Sequence, residues 1–392
     1  MITEVQIKNY KSLAQVVVPL NRFTVLVGPN GSGKSNFTDA LRFVTDSLNG
    51  TISLALKQRG GIRAVRRISS GHPNNFGIRL KINFPDGTLA DFSFEIAAAK
   101  DGNFLVAAER CDILRGLEHH VYHVQNGEFT AQVPGIRPKI EPDRLALTIL
   151  SAAEEFRPVF DFLSRMRFYS IVPDRVREIQ DPDAGGVLRR DGSNAAAVLR
   201  ELSRKAPENY DKVCRLLSRI VPGVSSVEYH PLGQKETLKF RQDVGATSPW
   251  TFDALNMSDG TLRVLGILLA IYQPSESALI GVEEPESTIH PAAMDVLVQI
   301  LKDGQHRAQI LVTTHSPDVL DNKQIWDDNI RVVENLRGKT IVSTVGRVPR
   351  DSIVQRLYSA GELMRVGELD PDREQAEALG EQLDHFGPLT AR

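Results

Sequence analysis

Apolar residues follow two spacings along this chain. Val5 and Ile7, then Val16, Val17 and Val18, read as strands separated by a polar bend at Asn9-Tyr10-Lys11-Ser12. Phe23 to Val27 is a short continuous apolar run, as expected of a strand buried on both faces, and it ends in Gly28-Pro29-Asn30-Gly31. From Asn36 to Leu48 the apolar positions Phe37, Ala40, Leu41, Val44 and Leu48 recur at three and four, which predicts an amphipathic helix. Ile78, Leu80, Ile82 and Phe84 alternate before a Pro85-Asp86-Gly87 turn, with Phe92, Phe94 and Ile96 after it, so a hairpin is expected there. Between 143 and 222 the pattern turns helical over Leu145 to Phe156, Pro158 to Met166, Asn194 to Leu202 and Tyr210 to Ile220. Pro158, Pro173, Pro182 and Pro207 exclude one long coiled coil. The next section alternates: helix Leu262 to Tyr272, strand Ala278 to Val282, helix Pro291 to Leu301, strand Gln309 to Thr313. That order predicts a parallel sheet covered by helices. A hairpin over Ile330 to Val333 and Thr340 to Val345, a docked helix over Ser352 to Met364 and a polar tail complete the chain, which shows no internal repeat.

Composition narrows the class. At 392 residues, and roughly 100–200 per domain, two or three lobes are expected. The formal net charge of -2 argues against a polybasic coat, yet leaves room for a local basic groove. Lys57, Arg59, Arg63, Arg66 and Arg67 cluster around Gly60-Gly61. They could meet phosphates of a duplex, reach a nucleotide as a charge-stabilising arginine, or form a solvated loop. Two cysteines, Cys111 and Cys214, give no disulfide framework, and Met1 to Leu20 lacks the features of a signal peptide, so a cytoplasmic setting is expected. The longest apolar stretch, Val264 to Tyr272, falls far short of the roughly 20 residues needed to span a bilayer, and no membrane association is expected.

Gly28-Pro29-Asn30-Gly31-Ser32-Gly33-Lys34-Ser35 satisfies the P-loop pattern between a strand and a helix. Consecutive backbone N–H groups at a helix N-terminus must curl around phosphate oxygens, and glycine permits that backbone. Asn30, Gly31, Ser32, Gly33, Lys34, Ser35 and Asn36 are therefore expected to hold ATP. Lys34 would neutralise the β- and γ-phosphates, and Ser35 would ligate Mg²⁺.

Further on, Glu283-Glu284-Pro285-Glu286 stands at the C-terminal end of a buried strand, where open α/β sheets place their chemistry. Glu283 would help hold Mg²⁺, and Glu284 would accept a proton from the water attacking the γ-phosphate. By itself the same text also reads as a solvated acidic turn. Ser258, in Asn256-Met257-Ser258-Asp259-Gly260-Thr261, is an expected helix N-cap, and with Gly260 it also makes an anion site that would grip a γ-phosphate of another subunit. His315, in Thr313-Thr314-His315-Ser316-Pro317, either donates to the γ-phosphate or attacking water, or is structural.

In this order the pieces resemble the ATP-binding-cassette type of ATPase head. They correspond to its P-loop, a divergent signature Met257-Ser258-Asp259-Gly260, the Walker B end Val282-Glu283-Glu284-Pro285-Glu286 and a switch histidine in Thr314-His315-Ser316. The opening Ile7-Lys8-Asn9-Tyr10-Lys11-Ser12-Leu13 and the later Ile289-His290-Pro291 look like the RecF, SMC and OLD branch rather than transporter subunits. Asp191-Gly192-Ser193-Asn194, running into Leu199, and Gly361-Glu362-Leu363 are similar to small AAA ATPases of that branch. The resemblance covers nearly the whole chain. It implies an α/β P-loop NTPase fold: an ABC-ATPase-like head with an N-terminal antiparallel β subdomain and a helical insertion. The implied division is 1–142, with the P-loop and β subdomain; 143–240, mainly helical; 241–345, with signature, Walker B and histidine; and 346–392, a C-terminal helix and tail.

The resemblance further implies that two heads pair head to tail around ATP, so that Ser258 and Gly260 act in trans. Three features depart from it. Asp259 stands where a second glycine is usual, Glu283 replaces an aspartate, and no glutamine stands out as a Q-loop. Slow turnover fits these departures. OLD relatives carry a TOPRIM nuclease, which needs an Asp-x-Asp pair on a fold of about a hundred residues. Only 77 residues follow His315, and Asp370-Pro371-Asp372 lies in a polar terminal segment, so nuclease function is not expected. Asn322-Lys323-Gln324-Ile325 lacks the acid of a guanine-reading element. The leading expectation is an ATP-hydrolysing switch, a homodimer or higher homo-oligomer, acting on DNA or with a DNA-acting partner in repair or anti-phage defence. The other reading is a regulatory module that holds ATP to sequester or position a separate effector such as a nuclease or toxin.

Overall fold

The computed structural model describes residues 1–69, 74–131, 140–141, 143–246 and 248–381. In chain order the strands are β1 (Ile2–Tyr10), β2 (Leu13–Pro19), β3 (Phe23–Val27), β4 (Asn75–Asn83), β5 (Leu89–Ala98), β6 (Phe104–Arg115), β7 (Glu118–Gln125), β8 (Glu128–Ala131), β9 (Met166–Tyr169), β10 (Val224–Leu232), β11 (Lys235–Gln242), β12 (Trp250–Asp253), β13 (Leu279–Glu283), β14 (Gln309–Thr314), β15 (Ile330–Leu336) and β16 (Lys339–Ser343). The chain forms two units, Met1–Met166 with Asp327–Val354 and Glu368–Arg392, and Arg167–Trp326 with Gln355–Gly367. Among the described residues no helix is long and apolar enough to cross a membrane.

In the first unit the strands run β8-β7-β6-β5-β4-β1-β2-β16-β15-β3. β1 and β2 pair antiparallel from Tyr10↔Leu13 to Glu4↔Pro19, and β4 and β5 form the expected hairpin around Gly87, whose φ of 83° suits the turn. β15 pairs in parallel with β3, so the late hairpin β15–β16 is inserted beside the first strands. All five residues of β3 are buried, as their continuous apolar text requires. The helix Lys34–Asn49 (α1) buries Phe37, Leu41, Val44 and Leu48. Its Phe43 packs edge-to-face with Tyr10 and Phe76, at ring distances of 6.1 and 5.5 Å.

In the second unit β13 and β14 pair in parallel from Leu279↔Gln309 to Glu283↔Thr313, with β9 beside β13. β10, β11 and β12 form a separate antiparallel sheet. The helix Asp259–Tyr272 is buried nearly all round, which fits its apolar composition.

The two units cut across the expected four-part division. Nor is 143–240 helical throughout: within Leu145–Phe156 the helix is limited to Leu147–Leu150, the run after Pro158 gives way to β9 at Met166, and β10 and β11 follow the helix Pro207–Ile220. After Pro222-Gly223, the β-branched and aromatic residues Val224, Val227, Tyr229, Thr237 and Phe240 favour strands. The expected helix Ser352–Met364 is two helices, Arg347–Val354 and Ala360–Val366. The break contains Arg356 at a φ of 58°, and Ser359 restarts the helix with a capping box to Glu362.

Glu109 of β6 is buried and accepts from Tyr122 Oη (2.7 Å), Ala146 N (2.5 Å) and Leu147 N (2.8 Å), pinning the segment after β8 onto the sheet. Burial outweighs these donors and raises its carboxyl from 4.5 to about 7. A raised acid stabilises the fold fully below its unfolded value, and that contribution is lost as pH rises through the folded one. The difference amounts to about 3 kcal/mol. Thermal unfolding between about pH 5 and pH 8 is expected to show a falling midpoint that Glu109→Gln flattens. An unchanged slope in the variant would assign the dependence to another group.

Candidate functional site

The loop after β3 is shaped by close backbone approaches. A Cβ on Gly28 would meet Val333 O at 2.1 Å, and one on Gly33 would meet Thr340 Oγ1 at 2.3 Å. Gly31 and Gly33 have φ of 77° and 112°, which L side chains rarely adopt. Gly33 is the N-cap of this 16-residue helix and supplies no side-chain cap, while Asn36 N donates to Gly33 O (3.0 Å); a helix start of this kind suits an anion. A relay holds the loop: Asn36 Nδ2 donates to Ser12 Oγ (2.7 Å), Ser12 lies 2.6 Å from Thr340 Oγ1, and Thr340 donates to Ser32 O (3.0 Å). Asn36, expected to touch nucleotide, is thus a brace through its side-chain amide. Lys34 is buried, its ammonium donating to Gly28 O (2.7 Å) and Pro29 O (3.0 Å). Ser32 Oγ is buried with no hydrogen-bond partner among the described residues, and Ser35 is exposed. Uncapped N–H groups, an ammonium, an orphan hydroxyl and an exposed hydroxyl make a donor set that fits a polyphosphate and its Mg²⁺.

Glu283, Glu284, His315, Ser258 and Gly260 belong to the second unit. β13 ends at Glu283, and Glu284 turns off it at a φ of 44°, a strained conformation for a residue with a Cβ, its N–H donating to Thr313 O (2.9 Å) at the end of β14. Glu284 Oε1 lies 3.3 Å from His315 Nδ1, so these two predicted residues are brought together. Glu283 is engaged by Arg190, whose Nη2 lies 2.9 and 3.1 Å from its two oxygens.

Glu286 is buried and accepts from Thr314 Oγ1 (2.5 Å), which in turn accepts from Ser316 N (2.9 Å) and so fixes the turn carrying His315. Burial raises the Glu286 carboxyl, against the Thr314 bond that lowers it. Ser258 caps the helix Asp259–Tyr272, accepting from Thr261 N (3.3 Å). A Cβ on Gly260 would meet Thr288 O at 2.7 Å, so this helix start packs against the loop that follows the acids. Arg263, one turn on, lies within electrostatic reach of Asp259, Glu284 and Glu286.

Sequence reasoning gave no role to Arg190, Arg177, Arg263 or Glu286. Two of them carried a signal: Arg190 as the neighbour of Asp191-Gly192-Ser193-Asn194, and Glu286 as the last residue of Glu283-Glu284-Pro285-Glu286. The basic cluster is not one surface. The Arg59 side chain is 2% exposed, pairs with Asp39 (3.0 Å) and Asp46 (2.8 Å) and lies 5.3 Å from the Phe43 ring centre. Arg67 donates to Ser12 O and Gly338 O, while Lys57 and Arg63 are exposed. Asp370 pairs with Arg373 (3.1 Å) and Asp372 accepts from Gln375 N (2.9 Å), so both acids serve the start of the helix Arg373–Glu381.

Two family models match the chain: "AAA ATPase domain" over residues 1–107 and "AAA domain, putative AbiEii toxin, Type IV TA system" over 141–321. A stretch of 40 residues, 10% of the chain, is 58% identical to structural maintenance of chromosomes protein 1B of Homo sapiens, and spans 3% of that relative's length. An SmcHead solved with the C-winged helix domain of ScpA is similar in structure, with a TM-score of 0.55 at 14% identity, over 88% of this chain and 98% of that one. A Pyrococcus furiosus Smc head domain with an extended coiled coil, bound to the C-terminal domain of ScpA, gives 0.52 at 14% identity over 91% and 99%. The shared fold is that of a P-loop NTPase of the ABC-like kind.

The two glycines of the loop separate sterics from backbone strain. At Gly31 no atom lies within 4 Å of an added Cβ, whereas at Gly33 it would strike Thr340. Gly31→Ala is expected to carry only the left-handed penalty of about 1–2 kcal/mol, and Gly33→Ala distinctly more. ATP affinity and thermal midpoint, measured on both variants, check this. Equal losses would remove the packing account.

Proposed function

We propose that this chain, an ABC/SMC-like AAA ATPase head, is an ATP-driven switch that binds ATP with Mg²⁺, pairs head to tail with a second copy around it, and hydrolyses it to separate. The reading rests above all on Glu284, held in a strained backbone at the end of β13 with His315 at 3.3 Å. A carboxylate so placed is suited to take a proton from water, and His315 to orient it. The α1 N–H groups and Lys34 would bind the phosphates, with Ser35 and Glu283 holding Mg²⁺. When bound, that ion draws charge from the β- and γ-phosphate oxygens. Ser258 and Gly260, at a helix start, are assigned to the γ-phosphate carried by the second copy.

The partner is proposed to be DNA or a DNA-acting effector protein, in repair or anti-phage defence. Support comes from the relatives: a chromosome-maintenance protein, a family described by a toxin system, and two heads solved with a domain of ScpA. One observation favours the alternative of a slow-turnover ATP-sensing module that holds its effector. Glu283 is paired with Arg190, so metal binding must first displace a guanidinium.

Lys34→Ala is expected to abolish nucleotide retention. Glu284→Gln should keep ATP, slow turnover by about 10²-fold or more, and enrich the ATP-bound dimer. Steady-state hydrolysis with and without duplex or single-stranded DNA, at low and near-physiological salt, tests the partner. Salt-sensitive stimulation is the result expected if DNA gates the dimer. Normal hydrolysis by Glu284→Gln would remove that residue as the base. Arg190→Gln should lower the Mg²⁺ concentration needed for half-maximal ATP binding by up to roughly fivefold, because an exposed ion pair of up to ~1 kcal/mol no longer competes. An unchanged requirement would show that the pair does not oppose the metal.

A further inference from the structure

Asp259 is the first residue of its helix and sits beside Ser258, the group assigned to a second copy's γ-phosphate. An acid at a helix start suits the helix dipole but opposes an incoming phosphate. Arg177, the last residue of the short helix Pro173–Arg177, answers this charge. Its Nη2 donates to Asp259 Oδ1 (2.5 Å) and to Met257 O (3.3 Å), and its Nη1 to Asp174 Oδ1 (2.8 Å). One guanidinium therefore grips the residues on both sides of Ser258. The Arg177 side chain is only 25% exposed, and its Nε is buried without a hydrogen-bond partner among the described residues.

We propose that Arg177 is a positioning residue of the signature loop: it cancels the charge of Asp259 and clamps Met257 and Asp259 around Ser258, so that this helix start accepts phosphate from a second copy. The proposal rests on the trans assignment of Ser258 made above. Planar, two-point bonding of this kind is a property of arginine that a point-charge lysine does not reproduce. Arg177 touches no reacting atom in this scheme. Its effect passes through the geometry and charge of the loop.

The test uses the full chain carrying Glu284→Gln, with the dimer fraction followed by sedimentation as ATP is raised. Adding Arg177→Ala is expected to raise the half-dimerising ATP concentration by about tenfold or more, since it exposes an uncompensated acid to phosphate. Adding Asp259→Gly as well should restore it to within about threefold, because the charge that needed cancelling is gone. ATP binding by the monomer at high dilution should stay at the level of the Glu284→Gln parent in every variant. Unchanged dimerisation in Arg177→Ala would overturn the proposal. So would a loss that Asp259→Gly does not repair, or a loss of monomer ATP binding, since either marks a purely structural role. A Glu284→Gln parent that never dimerises with ATP would remove the trans assignment itself. A failure confined to Arg177 would leave that assignment standing.

Discussion

The phosphate loop depends on a close fit between its glycine backbone and a neighbouring hairpin. Backbone N–H groups at the start of α1, where Gly33 supplies no side-chain cap, stand at the end of that loop. They are kept in place by the fit of two glycines against the β15–β16 hairpin, Gly28 on Val333 and Gly33 on Thr340. Thr340 adds a hydrogen bond to Ser32 O and closes the relay to Ser12 and Asn36. The loop is thus fixed by its neighbours, in a shape that suits an anion.

A second regularity is the pairing of acids with arginines. Asp39 on α1 is met by Lys11, Arg42 and Arg59; burial would raise its carboxyl, yet these cations bring it down to about 2. Glu283 is met by Arg190 and Asp259 by Arg177. The first network is mostly buried and ties α1 to Lys11 in the turn after β1 and to Arg59. The other two are more exposed, hence cheaper to exchange, and they fall at the strand end and helix start where a nucleotide's charge is expected to arrive.

What could be read from the sequence was local. β3, the glycine loop and α1 follow from a continuous apolar run, fixed glycine spacing and a three-four periodicity, all within thirty residues. The same holds for β13, β14 and the helix Asp259–Tyr272. The reading was weakest where periods were short: Leu145–Phe156 holds only a four-residue helix, whereas Pro222-Gly223 does mark the passage from the helix Pro207–Ile220 to the β10–β11 pair. Arg59 looked like part of an exposed basic patch because spacing alone does not reveal that Asp39 and Asp46 stand opposite it. The pairings of Arg177 and Arg190 were hidden for the same reason, since they meet their acids across 82 and 93 positions of chain.

The β15–β16 hairpin has a consequence for how the protein is made. Thr340 reaches Ser32 across 308 positions and Ser12 across 328, so a loop made early is finished by a segment made much later. At about 5–20 residues per second, the ribosome needs roughly 15–60 s to cover that distance. Throughout that interval the glycine loop has no Thr340 wall to set its shape. The shape of the loop therefore waits for Thr340 to be made, and a chain stopped before it lacks that wall.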